Sequence, residues 1–299
     1  MTMEKTGDLL RHAGNSRVAG FFVRLVRQKV LGTIGAAIFL VVVLAAIFAD
    51  FIAPYGMTEI HLFNTLEGPS TEFWLGTDEV GTDVFTGIVY GARVAIIIGF
   101  TATALHVVVA ILVGLPSGYF GGKFDIVLQR FVDAWMAFPS LLLVITIMSM
   151  TGRGSLQLIL VLGITTGITH SRVVRGSVIA AKENLYVEAA KAIGCSASGI
   201  IWRHILPNIM APIIVLFTIS IGSIIVSEAG LSFLGYGLPP EEASWGGMLS
   251  YQGRQYMEMA PGLAFWPGLA IALTVYGTNM FGDAMRDLLD PRLRGSESI

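Results

Sequence analysis

The 299-residue sequence holds a single cysteine, Cys195. One thiol excludes an intrachain disulfide and any CxxC metal or redox pair. Charge is also scarce. Asp, Glu, Lys and Arg make up 13% of the residues, the net charge is −2, and no long basic or acidic tract occurs. Nucleic-acid binding needs a basic face to meet phosphates, so that partner is not expected. Several chemistries lack their motifs. No GxxxxGK[ST] is present, so the chain has no phosphate-cradling loop of its own. No HExxH and no cluster with metal spacing appears, so neither a metal nor another cofactor is expected in this chain. Gly230-Leu231-Ser232-Phe233 begins a G-x-S-x-G pattern, but Leu234 stands where the closing glycine belongs. An intramembrane hydrolase would therefore lack a paired nucleophile and base.

Apolar sequence is abundant. Hydrophobic residues are 54% of the chain, which points to a membrane protein. Crossing the hydrocarbon layer takes about 20 mostly apolar residues. Uncharged runs of about that length are Leu31–Ala49, Val94–Leu115, Ala134–Met150, Ser155–Ser171, Asn208–Ser227 and Met259–Gly282. The expected fold is an all-α membrane protein with six transmembrane helices. Leu31–Ala49 is too long for a cleaved signal core and is read as a retained span. Lys and Arg in the connections set orientation. Sixteen fall on the side of the two termini, and only Arg93, Arg153 and Arg254 fall on the other. Both termini are thus expected in the cytoplasm. The outer segments are acidic: Asp50 to Asp83 contains seven carboxylates and no Lys or Arg, and the last outer loop adds Glu241, Glu242 and Glu258. These form either a solvated loop or a docking surface.

The spans are rich in glycine and interrupted by Pro116, Pro139, Pro212 and Pro267. Small residues let helices approach closely in lipid, and neighbours re-satisfy the carbonyls freed at proline. Glu228 follows 20 uncharged residues. A buried charge in a membrane faces a cavity or a partner, so Glu228 is either a pathway or intersubunit group or a satisfied structural carboxylate. His106 and His170 are each read as isolated, hydrogen-bonded helix residues.

Between the fourth and fifth runs lies LYVEAAKAIGCSASGIIWRHILPN, Leu185 to Asn208. Asn184 is placed to cap a helix from Leu185. Ala189, Ala190 and Ala192 favour helix and leave a low surface. Gly194 sits where a left-handed helix-ending residue belongs, Ser196 or Ser198 starts a second short helix, and Pro207 enters the next span. The result is a cytoplasmic helical elbow. It lies either in a groove of another protein or on the lipid surface.

Glu188-Ala189-Ala190, three residues, Gly194, and then Leu206-Pro207 resemble the EAA loop of ABC importer membrane subunits. His204 stands where that pattern has Ile. The stretch Leu75-Gly76-Thr77-Asp78-Glu79-Val80-Gly81-Thr82-Asp83-Val84-Phe85 resembles LGTDxxGRDV of the C-type subunits of the dipeptide/oligopeptide (nickel) permease family. Leu231-Ser232-Phe233-Leu234-Gly235, Ser244-Trp245-Gly246, Pro267-Gly268-Leu269-Ala270 and the run Gly282 to Pro291 follow in the same order. Two positions depart from the pattern: Thr82 replaces the usual Arg, and Glu241-Glu242-Ala243 replaces a TP-type sequence.

The resemblance implies a type I ABC importer permease fold. It divides the chain into a cytoplasmic N-terminal segment (1–30), a first transmembrane helix (31–50) and an extracytoplasmic segment with a surface helix (51–92). A permease domain of five helices (93–290) with the EAA loop at about 182–207 and a cytoplasmic tail (291–299) complete it. It also implies a homologous B-type permease, two cytoplasmic ATPases that bind ATP and Mg, and an extracytoplasmic substrate-binding protein as partners, with the lipid bilayer around them. Coupling to the ATPases falls to Glu188, Ala189, Ala190, Gly194, Leu206 and Pro207, with no catalysis in this chain. Asp78, Asp83, Glu241 and Glu242 are candidates for receiving the binding protein. The alternative is a self-sufficient secondary transporter or channel built around Glu228.

Overall fold

A computed structural model describes residues 25–289; residues 1–24 and 290–299 lie outside the described part, and with them most of the expected N-terminal segment and the whole tail. The apolar runs become helices because a backbone in hydrocarbon must satisfy its own N–H and C=O groups. In chain order they are α1 (Val30–Ile47), the short α2 (Ala49–Ile52), α3 (Val84–Phe120), α4 (Gly122–Met136), α5 (Ser140–Thr151), α6 (Ser155–Lys182), α7 (Leu185–Ala192), α8 (Ala197–Ile200), α9 (Met210–Phe233), α10 (Trp245–Met248) and α11 (Gly262–Leu289). A π turn and a 3-10 turn join α8 to α9, so helical backbone runs from Ala197 to Phe233. There is no strand among the described residues, only an isolated bridge between Thr77 and Asp83.

Four of these helical stretches are long and apolar enough to cross a membrane: α1, α3, α6 and Ala197–Phe233. The expected third span, Ala134–Met150, is not one straight helix. It breaks between α4 and α5 with a bend of 83°. The cause is Pro139, which has no N–H to offer the helix and disfavours helical backbone at Phe138. The bent pair makes a fifth span if taken as one. The last expected span, Met259–Gly282, starts three residues before α11, whose 28 residues include Pro267, Thr274, Thr278 and Asn279 and so fall short of the others in hydropathy.

Contacts between helices show how the bundle alternates. α3 packs most extensively on α6. A Cβ added at Gly114 of α3 would lie 2.2 Å from the Ser171 carbonyl oxygen of α6, and one at Gly167 of α6 would lie 2.8 Å from that of His106. Only glycine lets these backbones meet so closely. The pairing is parallel. α11 lies antiparallel to α1, and Lys29 at the start of α1 bonds Asp287 near the end of α11 at 2.6 Å. Arg93 of α3 donates to the Ala46 carbonyl of α1 at 3.0 Å, which sets those two antiparallel as well. One end of the bundle therefore holds Lys29, Tyr119, Lys182 and α7. The opposite end holds the segment 53–83 and the loop after α9.

Candidate functional site

At the first end, Lys182 closes α6 by donating to the Tyr119 carbonyl at 2.6 Å. The chain then turns into α7. Asn184 does not cap α7. Its Nδ2 donates instead to the Ala180 and Ala181 carbonyls, each at 3.0 Å, and seals the end of α6. With helix ends two residues apart, the free carbonyls of α6 compete for the same amide. Gly194 adopts φ +81, and the N–H groups of Gly194 and Cys195 close α7 by donating to Lys191 and Ala190, both at 3.0 Å. That is the left-handed helix stop glycine favours. Ser196 caps α8 by accepting from Gly199 N–H at 3.2 Å.

The elbow has two faces. Val187 and Ala190 are buried in one core cluster with Ile200, Ile201 and Ile205. Leu185, Ala189 and Ile193, spaced four apart and hence on one side of the helix, point away from that core. Leu185 and Ile193 are 82% and 81% exposed, and Trp202 is exposed nearby. Glu188 and Gly194 are exposed too, Leu206 packs against the core cluster, and Pro207 is exposed in the 3-10 turn. Ala190 thus anchors the elbow instead of lying on its open face. Leu185, Ile193 and Trp202 were not singled out from the sequence, although the i, i+4, i+8 spacing of Leu185, Ala189 and Ile193 is visible there.

Glu228 near the end of α9 is buried. Its Oε1 accepts from Ser232 Oγ and from Ser244 Oγ, each at 2.8 Å. Ser232 Oγ accepts in turn from Leu238 N–H at 3.3 Å, and Ser244 Oγ from Gly247 N–H at 3.2 Å. The carboxyl pins the loop and α10 to α9, and it lines neither of the two main cavities. Of the two expected roles, the satisfied structural carboxylate is the one the geometry matches. The two histidines are not isolated: His170 Nδ1 and His106 Nε2 are 3.0 Å apart.

At the other end, the expected surface helix is absent; residues 53–83 form turns instead. Gly76 and Gly81 take φ of +85 and +84 there. Asp78 Oδ1 accepts from the N–H groups of Val80 at 3.0 Å and Thr82 at 2.7 Å. Asp83 caps α3, its Oδ2 accepting from Thr86 N–H at 2.8 Å and Thr86 Oγ1 at 2.7 Å. Both are buried, at 4% and 1% exposure. Their hydrogen bonds build the segment from within. Glu242 accepts from Ser155 Oγ at 2.5 Å, and Glu241 is exposed. Glu241 and Glu242, with Asp78, Glu79, Thr82, Asp83 and Arg153, line a cavity of about 430 Å³. Arg93 reads Asp50 with two bonds of 3.0 and 2.9 Å, joined by Tyr90 Oη at 3.0 Å, and these bonds hold the Asp50 carboxyl below the usual range.

Burial pushes the Glu79 carboxyl above the ordinary carboxylate range. The folded chain then holds this proton more tightly than the unfolded chain does. Its contribution is complete at low pH and is lost as pH rises through the raised folded value. Glu79→Gln is expected to raise the thermal midpoint of the detergent-solubilised subunit at about pH 7 and to leave it unchanged near about pH 4. An unchanged midpoint at the higher pH would contradict this assignment.

Comparisons with known proteins follow the same lines. Residues 107–295 match the family described as "Binding-protein-dependent transport system inner membrane component", and residues 19–69 match "N-terminal TM domain of oligopeptide transport permease C". The dipeptide transport system permease protein DppC of Alkalihalophilus pseudofirmus is 40% identical over 91% of this chain and 89% of its own. The oligopeptide transport system permease protein OppC of Bacillus subtilis is 38% identical over 90% and 88%. The glutathione transport system permease protein GsiD of Escherichia coli O157:H7 is 37% identical over 92% and 90%. Among solved structures, a chain of the MetNI methionine ABC transporter in inward-facing conformations superposes with a TM-score of 0.54. It covers 68% of this chain and 96% of that one, at 16% identity, so it speaks to the fold alone.

Proposed function

This chain belongs to the family of binding-protein-dependent transport system inner membrane components, and from that premise we propose that it couples ATP hydrolysis on partner subunits to peptide import through the elbow at residues 182–207. It is an inner-membrane permease of an ABC transporter. The observation that carries the coupling role is the open apolar face of Leu185, Ala189 and Ile193 on a helix whose other face is locked into the bundle. An exposed apolar face on a polar elbow suits a groove in another protein.

In this reading six spans cross the membrane, with α4–α5 and α11 completing the set, and both termini are cytoplasmic. The Lys29–Asp287 bond supports termini on one side, and the excess of Lys and Arg at that end assigns that side to the cytoplasm. The partners are a homologous permease, two ATPases that bind ATP and Mg, and an external binding protein. The cargo is a dipeptide, oligopeptide or related small solute. ATP-driven closure of the ATPases moves the two elbows. Because Val187 and Ala190 are packed on Ile200, Ile201 and Ile205, α7 carries α6 and α9 with it as a rigid body. Of the outer residues, Glu241 and Glu242 remain for contact with the binding protein, while Asp78 and Asp83 hold the segment's shape.

The test is a mild-detergent pull-down of the tagged chain from its native membrane, read by mass spectrometry. A second permease and P-loop ATPases should come with it. Recovery of the chain alone, or only with copies of itself, would remove the partner that the elbow requires.

A further inference from the structure

A cavity of about 680 Å³ lies under the α4–α5 bend, between α5, α6 and α9. Its size is that of a small-molecule site. No Asp, Glu, Lys or Arg lines it. Its polar lining is hydroxyl, from Ser140, Thr165, Thr166, Thr169, Ser223 and Ser227, together with the ring of His170 and the indole of Trp135. Thr165, Thr169, Ser223 and Ser227 already donate to carbonyls of their own helices, at 2.6, 3.1, 3.0 and 2.8 Å. Each therefore faces the cavity as an acceptor. Beside the freely rotating hydroxyls of Ser140 and Thr166, a donor fixed in direction is the complement these four need.

His170 supplies one. Its Nδ1 is engaged with Nε2 of His106, which is wholly buried and whose Nδ1 has no hydrogen-bond partner. A neutral imidazole carries one N–H. If His170 donated, the proton of His106 would sit on Nδ1 as an orphaned buried N–H, the rarer and costlier defect. The reverse arrangement leaves only a bare acceptor on His106. It also puts the proton of His170 on Nε2, the nitrogen turned away from His106. We propose that this cavity is a cargo-contact site for uncharged amide groups, with His170 Nε2–H donating to a carbonyl and the Thr and Ser hydroxyls accepting from amide N–H. The assignment rests on the importer reading above and adds the ligand class. A peptide backbone presents both partners at short repeat. A lining without charge holds such a group briefly and releases it, as passage requires.

The experiment uses the complete transporter, with its binding protein, in proteoliposomes. The probe is a set of alanine peptides of two to five residues. His170→Phe removes the donor and is expected to cut uptake per ATP hydrolysed roughly tenfold, the effect of one lost hydrogen bond. ATP hydrolysis itself should persist, because the elbow is remote from the site. His170→Gln restores an N–H at that reach and should recover most of the uptake. Thr166→Val, at a hydroxyl with no partner among the described residues, should lower uptake about threefold without destabilising the subunit. Unchanged uptake in both His170→Phe and Thr166→Val would overturn the site. Failure of the wild-type complex to move any of the peptides would overturn the amide class. Failure of the chain to assemble with ATPases would instead overturn the importer reading.

Discussion

Gly194→Val is expected to abolish uptake by the assembled transporter while leaving the subunit folded in the membrane. A Cβ at Gly194 would meet nothing within 4 Å, so crowding is not the cause. The cause is the backbone, which holds φ +81 at this residue. A β-branched residue in that conformation costs about 1–3 kcal/mol, too little to unfold a bundle held by glycine-tight helix pairs. It is enough to break the local closure that Gly194 and Cys195 N–H groups make with Lys191 and Ala190. The end of α7 then unwinds, and the face of Leu185, Ala189 and Ile193 loses its alignment. ATP hydrolysis should continue without transport, measured as phosphate release against labelled peptide uptake in proteoliposomes. Gly194→Asn tolerates positive φ far better and should retain most activity. Wild-type uptake in the Val variant would separate the elbow from coupling.

Much of this architecture is legible in the sequence because hydrocarbon permits few backbone forms. The runs at Val94–Leu115, Ser155–Ser171 and Asn208–Ser227 all reappear inside longer helical stretches, and Leu31–Ala49 outruns α1 by two residues. Gly194 and Ser196 were legible for the same reason, since each performs a local backbone task. What depends on register between helices was not. His106 and His170 are 64 residues apart, and their pairing follows from the parallel seating of α3 on α6 at Gly114 and Gly167. No periodicity within one helix carries that information. The break at Phe138-Pro139 was missed because the run around it is apolar on both sides, and proline is tolerated in membrane helices. The inward turn of Asp78 and Asp83 left a partial signal: Asp83 stands three residues before Thr86, the spacing of a helix cap. The acidic composition of the segment obscured that cue, because seven carboxylates in a stretch without Lys or Arg read as a surface.

Glu228 separates the two transport mechanisms through a pair of substitutions. Glu228→Ala deletes the acceptor for two buried hydroxyls, those of Ser232 and Ser244. Each orphaned group costs about 1–3 kcal/mol, and the loop that carries α10 loses its tie to α9. The variant should melt well below wild type in detergent and reach the membrane in lower amount. Glu228→Gln keeps an oxygen at Oε1 that accepts both bonds, so stability and uptake should stay close to wild type. A self-sufficient transporter would need this carboxyl to take up and release a proton or an ion, and an amide does neither. Such a mechanism predicts a stable Gln variant with no uptake. Oε1 is enclosed by two serines that stand between it and the outer cavity, which favours the first outcome. The carboxyl then acts as a latch that fixes the outer loop on α9, so that a movement started at the elbow reaches the outer face through a connected element.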